Sequence, residues 1–167
     1  MRSARDPAPV RDAAEPAGDP ALGPLPEWRL DDLYAGPDDP ALRRDLDAAR
    51  EHAADFAARR EGALAGLSGD ELADAVAEYE RIETLLGRVM SYAGLRYHQD
   101  TGDPARAKLL GDLQNEVTES TRPLVFFSLE LNRVPEDALA AKCAESAALA
   151  RYRPWLDRVR AYRPHQL

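Results

Sequence analysis

Residues 68–97, SGDELADAVAEYERIETLLGRVMSYAGLRY, carry the pattern that decides the fold. Ser68 followed by Glu71 matches a capping box, in which the serine hydroxyl and the glutamate carboxylate each satisfy a backbone N–H group at a helix start. Apolar residues then recur about every 3.6 positions, the α-helical period; they are Leu72, Val76, Tyr79, Ile82, Leu86, Val89, Ala93 and Tyr97. The stretch predicts one helix of about 30 residues, roughly 45 Å long.

One face of this predicted helix contains Gly87, Ser91 and Gly94. A glycine in a helix interior costs roughly 1 kcal/mol relative to alanine. We therefore expect another part of the chain to pack tightly against this face.

Two Asp-Pro pairs predict the neighbouring helices. An aspartate can accept hydrogen bonds from the free N–H groups of a first helical turn, and a proline there has no N–H to leave unpaired. Asp39-Pro40 should begin a helix that reaches about Arg60 and ends at Gly62. Asp103-Pro104 should begin a third helix, antiparallel to the one over 68–97 because the connection is short. The apolar stripe of the Asp39-Pro40 helix is Leu42, Leu46, Ala49, Ala53 and Phe56.

Prolines predict breaks toward the end of the chain. The third helix continues its apolar period through Leu110, Leu113, Val117, Leu124, Phe127 and Leu131. Pro123 should bend or divide that helix near 119–123, because proline lacks an N–H and its ring clashes with the preceding turn. We expect Asn132 to close it and Pro135 to begin a short helix. Pro154 should begin another helix, which carries Trp155, Leu156 and Val159.

The composition favours an all-α fold. Of the 167 residues, 44% are hydrophobic but only 7% are aromatic, which suits closely packed helices better than a sheet. Residues 1–26 contain repeated prolines and no apolar period, so they predict a disordered leader rich in proline and alanine. The expected organisation is this leader followed by one helical domain over 27–167, built as a long antiparallel hairpin or bundle.

The charge and the absence of targeting signals limit the possible partners and location. The formal net charge of −8 disfavours binding to nucleic acid. The sequence has one cysteine, no apolar signal-peptide core and no stretch of roughly 18 apolar residues that could span a membrane. We expect a cytoplasmic protein without a membrane partner.

The residue types that support hydrolysis are nearly absent. A zinc peptidase site of the H-E-x-x-H type needs two histidines four residues apart with a glutamate beside the first. His52, His98 and His165 have no such spacing, so we predict no catalytic, cofactor-binding or metal-ligating residue. Cys143 has no histidine nearby in sequence and is expected to act as a small buried apolar residue.

Two aromatic patterns leave alternatives open. Arg151, Arg153, Arg158, Arg160 and Arg163 alternate with Tyr152, Trp155 and Tyr162 near the end of the chain. Such a segment can bind nucleic acid, but we favour an amphipathic helix whose arginines pair with acidic residues such as Glu145 and Asp157. Tyr79, Tyr92 and Tyr97 could stack on a ligand, but contact between helices is the favoured interpretation.

Several segments, taken in order, carry a family resemblance. They are Trp28-Arg29-Leu30-Asp31-Asp32-Leu33-Tyr34, the hairpin from Tyr92 to Asp103-Pro104, Phe126-Phe127-Ser128-Leu129-Glu130-Leu131-Asn132, Leu149-Ala150-Arg151-Tyr152-Arg153-Pro154-Trp155-Leu156 and Arg163-Pro164-His165-Gln166-Leu167. Over residues 27–167 the chain resembles the N-terminal region of oligoendopeptidase F. That family comprises cytoplasmic zinc metallopeptidases related to thimet oligopeptidase.

The resemblance implies an almost wholly helical protein with a deep channel, in which a catalytic part carrying H-E-x-x-H cleaves short peptides. No H-E-x-x-H occurs in this sequence, so the resemblance implies a chain truncated before the catalytic motif, inactive by itself and binding no zinc. It would form one wall of the channel, with the catalytic part of the same enzyme and an oligopeptide substrate as partners. The alternative is a stand-alone helical protein-interaction module without enzymatic activity.

Overall fold

The computed structural model describes residues 28–165, and every regular element in that range is helical. The all-α prediction is confirmed. The proposed leader over 1–26 lies outside the described residues. The helices are α1 (Pro40–Arg60), α2 (Gly69–Gln99), α3 (Pro104–Thr121), α4 (Val125–Arg133), α5 (Glu136–Glu145), α6 (Ala147–Arg151) and α7 (Arg153–Arg160), with short 3-10 turns at Leu64–Gly66, Arg122–Leu124 and Arg163–His165.

The helix starts form by the predicted local chemistry. Asp39 accepts a hydrogen bond from the backbone N–H of Ala41 at 2.8 Å, and Asp103 accepts one from Ala105 at 2.8 Å. Ser68 and Glu71 make both hydrogen bonds of the capping box. Gly62 follows α1 with a φ of +80°, a left-handed conformation that glycine adopts without a steric penalty. These caps fix where α1, α2 and α3 begin and where α1 ends.

Helix α2 is the central element, and it packs against α1 and α3. Antiparallel packing of α1 and α2 is visible in two ion pairs: Arg59 near the end of α1 pairs with Glu78 near the start of α2, and Asp45 pairs with Arg88 at 3.3 Å. The predicted stripe of α1 is buried throughout. In α2 the stripe residues are buried or partly buried, as predicted. Helix α3 returns along α2 as predicted: Arg106, near the start of α3, donates to the backbone oxygen of Arg96, near the end of α2, at 3.1 Å, so the antiparallel hairpin is confirmed.

The predicted division near Pro123 is also confirmed. Helix α3 ends at Thr121, a 3-10 turn spans Arg122–Leu124, and α4 begins at Val125. The expectation that Asn132 closes α4 is wrong, because Asn132 lies inside the helix and is buried. Short helices begin after Pro135 and around Pro154 as expected. Helix α6 was not anticipated.

The expectation of tight packing at Gly87 and Gly94 is wrong. A Cβ atom placed at either position would meet nothing within 4 Å among the described residues. The apolar stripe of α2 occupies a different face, so this face is turned away from the neighbouring helices. The close approach occurs at Gly69 instead, where a Cβ would lie 2.4 Å from the backbone oxygen of Lys142.

An aromatic cluster joins helices that are far apart in sequence. Its members are Phe56 of α1, Tyr79 of α2, Phe126 and Phe127 of α4, and Trp155 of α7. The ring of Phe127 lies 5.1 Å from that of Phe56 in an edge-to-face arrangement and 4.8 Å from that of Tyr79 in a stacked one. Trp155 stacks on Phe127 at 6.2 Å between ring centroids. The cluster therefore packs the N-terminal helices α1 and α2 and the C-terminal helices α4 and α7 into one core.

Glycine substitutions at two positions of α2 should have opposite effects. Gly69→Ala should lower the free energy of unfolding by about 1–3 kcal/mol, because the new methyl group would collide with a backbone oxygen that cannot move freely. Gly87→Ala should raise it by up to about 1 kcal/mol, because alanine is the better helix former and this site is open. Urea denaturation of both variants measures the difference. Equal effects at the two sites would contradict the packing described for Gly69.

Alkaline pH should destabilise the fold through its buried tyrosines. Burial, with the nearby negative charge of Glu83, raises the pKa of Tyr79 to about 12. An unfolded chain ionises its tyrosines near pH 10, so stability that is complete below about pH 10 should be lost as the pH rises toward 12. Urea denaturation across this interval should show a shallower loss for Tyr79→Phe than for the unchanged chain. An identical loss in both would mean that Tyr79 is as accessible in the folded state as in the unfolded one.

Candidate functional site

The clearest concave surface lies on the two sides of helix α7. One side is a cleft of about 430 Å³, here called the aromatic cleft, lined by Val76, Tyr79, Glu80, Glu83, Tyr152, Trp155 and Arg158. The other side is a cleft of about 520 Å³, here called the Asn132 cleft, lined by Ser128, Asn132, Arg158, Val159 and Tyr162. Arg158 borders both clefts. The short α7 therefore divides one region of the surface into two depressions.

The aromatic cleft combines ring faces with carboxylates. Tyr79 and Trp155 lie 5.9 Å apart between ring centroids and belong to the aromatic cluster beneath the cleft. Tyr152 donates a hydrogen bond from its hydroxyl to Glu80 at 2.8 Å. This hydrogen bond, together with some burial, raises the pKa of Tyr152, so its hydroxyl stays protonated at neutral pH. The cleft offers apolar contact and acidic groups but no pair of residues arranged as a nucleophile and its base.

The Asn132 cleft contains an unsatisfied amide. Asn132 is only 3% exposed, and neither amide atom of its side chain has a hydrogen-bond partner in the part of the chain that the structure describes. Leaving a buried donor or acceptor unpaired costs about 1–3 kcal/mol. Leu129 and Tyr162 are large apolar residues exposed in the same region. This combination is typical of a surface that another polypeptide covers.

Two of the five arginines of the basic segment, Arg153 and Arg160, pair with acidic groups of the same chain. Arg153 contacts Asp157 at 2.7 Å and Glu136 at 2.8 Å. Arg160 lies 3.1 Å from Glu136 and also donates to the backbone oxygen of Leu131 at 2.7 Å. The pair with Asp157 agrees with the predicted pairing of these arginines with acidic residues. The second acidic partner is Glu136 and not the predicted Glu145. Helix α7 of this segment buries Leu156 and Arg160, whereas Arg151, Arg158 and Arg163 are exposed.

Two of the three tyrosines of α2, Tyr79 and Tyr92, belong to the packing of the core. Tyr92 is 1% exposed and meets Tyr34 edge to face at 5.3 Å, and Tyr79 is part of the aromatic cluster. Tyr97 is partly buried and lies beside His98, with 5.3 Å between the ring centroids. The interpretation as helix contacts is confirmed for Tyr79 and Tyr92. No continuous ladder of rings connects the three.

The histidines and the cysteine are not brought together. His52 and His98 are exposed residues of α1 and α2, and the side chain of His165 lies outside the described part. Cys143 is partly buried and packs against the core. Among the described residues, no group of three histidine, cysteine, aspartate or glutamate side chains could hold a metal ion. A zinc ion of the kind the family resemblance implies does not fit this part of the chain.

The role of Asn132 at this surface differs from the one that the sequence pattern predicts. Asn132 was expected to cap a helix, whereas it lies one position before the last residue of α4 and is buried. The sequence signal that could have pointed to Asn132 as a buried residue is its position directly after the apolar residues Phe126, Phe127 and Leu131.

No helix in the described part of the chain is long and apolar enough to cross a membrane.

Comparisons with known proteins fall on this same region. A family model described as oligopeptidase F matches residues 130–167, which include Asn132 and all of α7. Oligopeptidase PepF from Bacillus subtilis strain 168 is 29% identical over 140 residues, which are 84% of this chain and 20% of that protein. This chain thus spans about one fifth of the length of the relative. No solved structure matches the chain. Both sequence matches are to oligopeptidase F proteins, and they support the resemblance to the N-terminal region of oligoendopeptidase F.

Proposed function

We propose that this chain is the non-catalytic helical part of a cytoplasmic, zinc-dependent oligopeptidase and forms one wall of its peptide channel. In this proposal the zinc ion and the general-base glutamate belong to polypeptide outside these 167 residues. The substrate is a short peptide, and the principal partner is the catalytic part of the same enzyme.

One observation carries this proposal. The similarity to oligopeptidase PepF extends over most of this chain but over only a fifth of that relative. Within the described residues, no cluster of side chains is able to bind a metal ion. A helical unit without metal ligands, related to a small part of a much longer peptidase, is best explained as a structural component of such an enzyme.

We assign the face around α7 to the contact with the catalytic part. Tyr162 is 66% exposed and Leu129 is 37% exposed, so apolar surface lies uncovered beside the unsatisfied amide of Asn132. Covering this face would remove apolar area from water and provide partners for the amide. The family match over residues 130–167 includes Asn132, α7 and Tyr162 and begins one residue after Leu129.

The test replaces part of the relative with this chain. In a chimera, residues of this chain substitute for the segment of Bacillus subtilis oligopeptidase PepF with which they align. We expect the chimera to cleave a quenched oligopeptide, whereas the isolated chain should neither cleave it nor bind stoichiometric zinc. In the chimera, Arg158→Glu should reduce cleavage because Arg158 borders both clefts, and Arg81→Glu on the exposed side of α2 should not. Chelator-sensitive cleavage by the repurified isolated chain would contradict the proposal.

A stand-alone interaction module is the second candidate function. The observation that favours it is the same uncovered face, since a free module would use such a surface to dock a partner. The two candidates differ in how the isolated chain behaves in solution. A soluble, cooperatively melting monomer in sedimentation and thermal denaturation favours the module. Self-association through the α7 face, abolished by Leu129→Glu and unaffected by Arg81→Glu, favours the enzyme component.

A further inference from the structure

A small cleft at the opposite end of the hairpin contains two unsatisfied donors. It measures about 210 Å³ and lies between the segment over 28–35 and the C-terminal half of α2. Its lining includes Trp28, Tyr34, Tyr92, Arg96 and Gln99. Gln99 closes one end by donating a hydrogen bond to the backbone oxygen of Trp28 at 2.8 Å. The cleft is separate from both clefts around α7.

The first donor is the hydroxyl of Tyr92. This residue is 1% exposed, and its hydroxyl has no hydrogen-bond partner among the described residues. Its ring is held edge to face by Tyr34, whose own hydroxyl donates to Asp45 at 2.7 Å. Burial raises the pKa of Tyr92, so the hydroxyl keeps its proton at neutral pH. The cleft therefore contains a fixed O–H donor without an acceptor.

The second donor is the guanidinium of Arg96. Its Nε atom is buried and has no hydrogen-bond partner, and no carboxylate of the described chain lies within ion-pair distance of Arg96. Arginine remains charged at all physiological pH values. The other arginine of the lining, Arg29, is neutralised by Asp31 at 2.6 Å. Within residues 28–165, Arg96 thus has no ion-pair partner.

The acidic residues around this cleft are already engaged: Asp31, which lines the cleft, pairs with Arg29, and Asp39 caps α1. Asp39 uses one carboxylate oxygen to accept from the backbone N–H of Ala35 and the other to accept from Ala41, both at 2.8 Å. Turning toward Arg96 would break the cap of α1. Among residues 28–165, none of these carboxylates is therefore free to act as an acceptor for Tyr92 and Arg96.

We propose that this cleft binds a carboxylate through the Tyr92 hydroxyl and the Arg96 guanidinium. A carboxylate has two acceptor oxygens and one negative charge, which match one O–H donor and one guanidinium with its positive charge. A volume of about 210 Å³ has room for a carboxyl group and the residue that bears it. The strongly negative chain and the aromatic lining disfavour multiply charged anions. The proposal does not depend on the function proposed above.

The test follows the Nε–H signal of Arg96 by NMR during titration of the intact chain at constant ionic strength and neutral pH. The probes are sodium acetate, an acetylated dialanine with a free carboxylate, its C-terminal amide, and inorganic phosphate. We expect a saturable downfield shift with both carboxylates and none with the amide. Tighter binding of the peptide acid than of acetate would assign the site to a peptide terminus, and equal binding would assign it to small carboxylates. Either result supports the proposal.

Two variants and one control give the test its specificity. Arg96→Lys removes the Nε–H signal, which assigns it, and should weaken the carboxylate affinity by at least about tenfold, as expected for loss of a charge-assisted hydrogen bond. Tyr92→Phe should weaken it by about threefold to tenfold, while thermal stability is maintained or raised because an unpaired hydroxyl is removed. Arg81→Lys should change neither.

Three outcomes would overturn the proposal: no saturable shift with either carboxylate, equal binding of acid and amide, or phosphate binding tighter than that of the carboxylates. If Arg96→Lys does not fold, the titration of the unchanged chain and the Tyr92→Phe variant decide the matter, since the phenyl ring preserves the packing. An affinity unchanged in folded Tyr92→Phe would remove this tyrosine from the site and would contradict the proposal.

Discussion

The packing of Phe127 against Phe56 and Tyr79 is the contact on which the arrangement of the described helices depends. Helix α4 has nine residues and α7 has eight, lengths at which an isolated helix is not stable in water. These short helices are stabilised by tertiary contacts, because Phe127 of α4 and Leu156 of α7 are buried in the core. The long α1 and α2 provide the surface that receives them.

The position of this aromatic contact also explains where the concave surfaces lie. Trp155 and Leu156 attach α7 to the core on one side, and a helix of two turns cannot cover the whole width of the surface beneath it. The aromatic cleft and the Asn132 cleft are the two margins left open. Arg160, which is 9% exposed, donates a hydrogen bond from the end of α7 to the backbone oxygen of Leu131 in α4. This contact fixes the position of α7 between the two clefts.

Electrostatics has a secondary role in holding the helices together. The pairs between helices, such as Arg43 with Glu116 and Arg88 with Asp45, have at least one well-exposed partner. Exposed pairs of this kind contribute roughly 0–1 kcal/mol each. Such pairs therefore add little to the stability of the helix packing. Arg96 differs from the arginines in these pairs, because it is partly buried and has no ion-pair partner among the described residues.

The sequence by itself determined the helices whose start signals are local. The caps at Asp39-Pro40, at Ser68 with Glu71 and at Asp103-Pro104 act through side chains within four residues of the helix start. The apolar period shows which face of each helix is buried. It also indicated the division at Pro123, since a missing N–H acts on its own turn. Only the tertiary structure decided that the crowded glycine is Gly69 rather than Gly87, because the atom that would collide with a side chain there belongs to Lys142 in another helix. Only the tertiary structure likewise shows that the polar groups of Asn132, Tyr92 and Arg96 have no hydrogen-bond partner among the described residues. Whether a polar group is satisfied depends on which distant atoms surround it, and neither composition nor period contains that information.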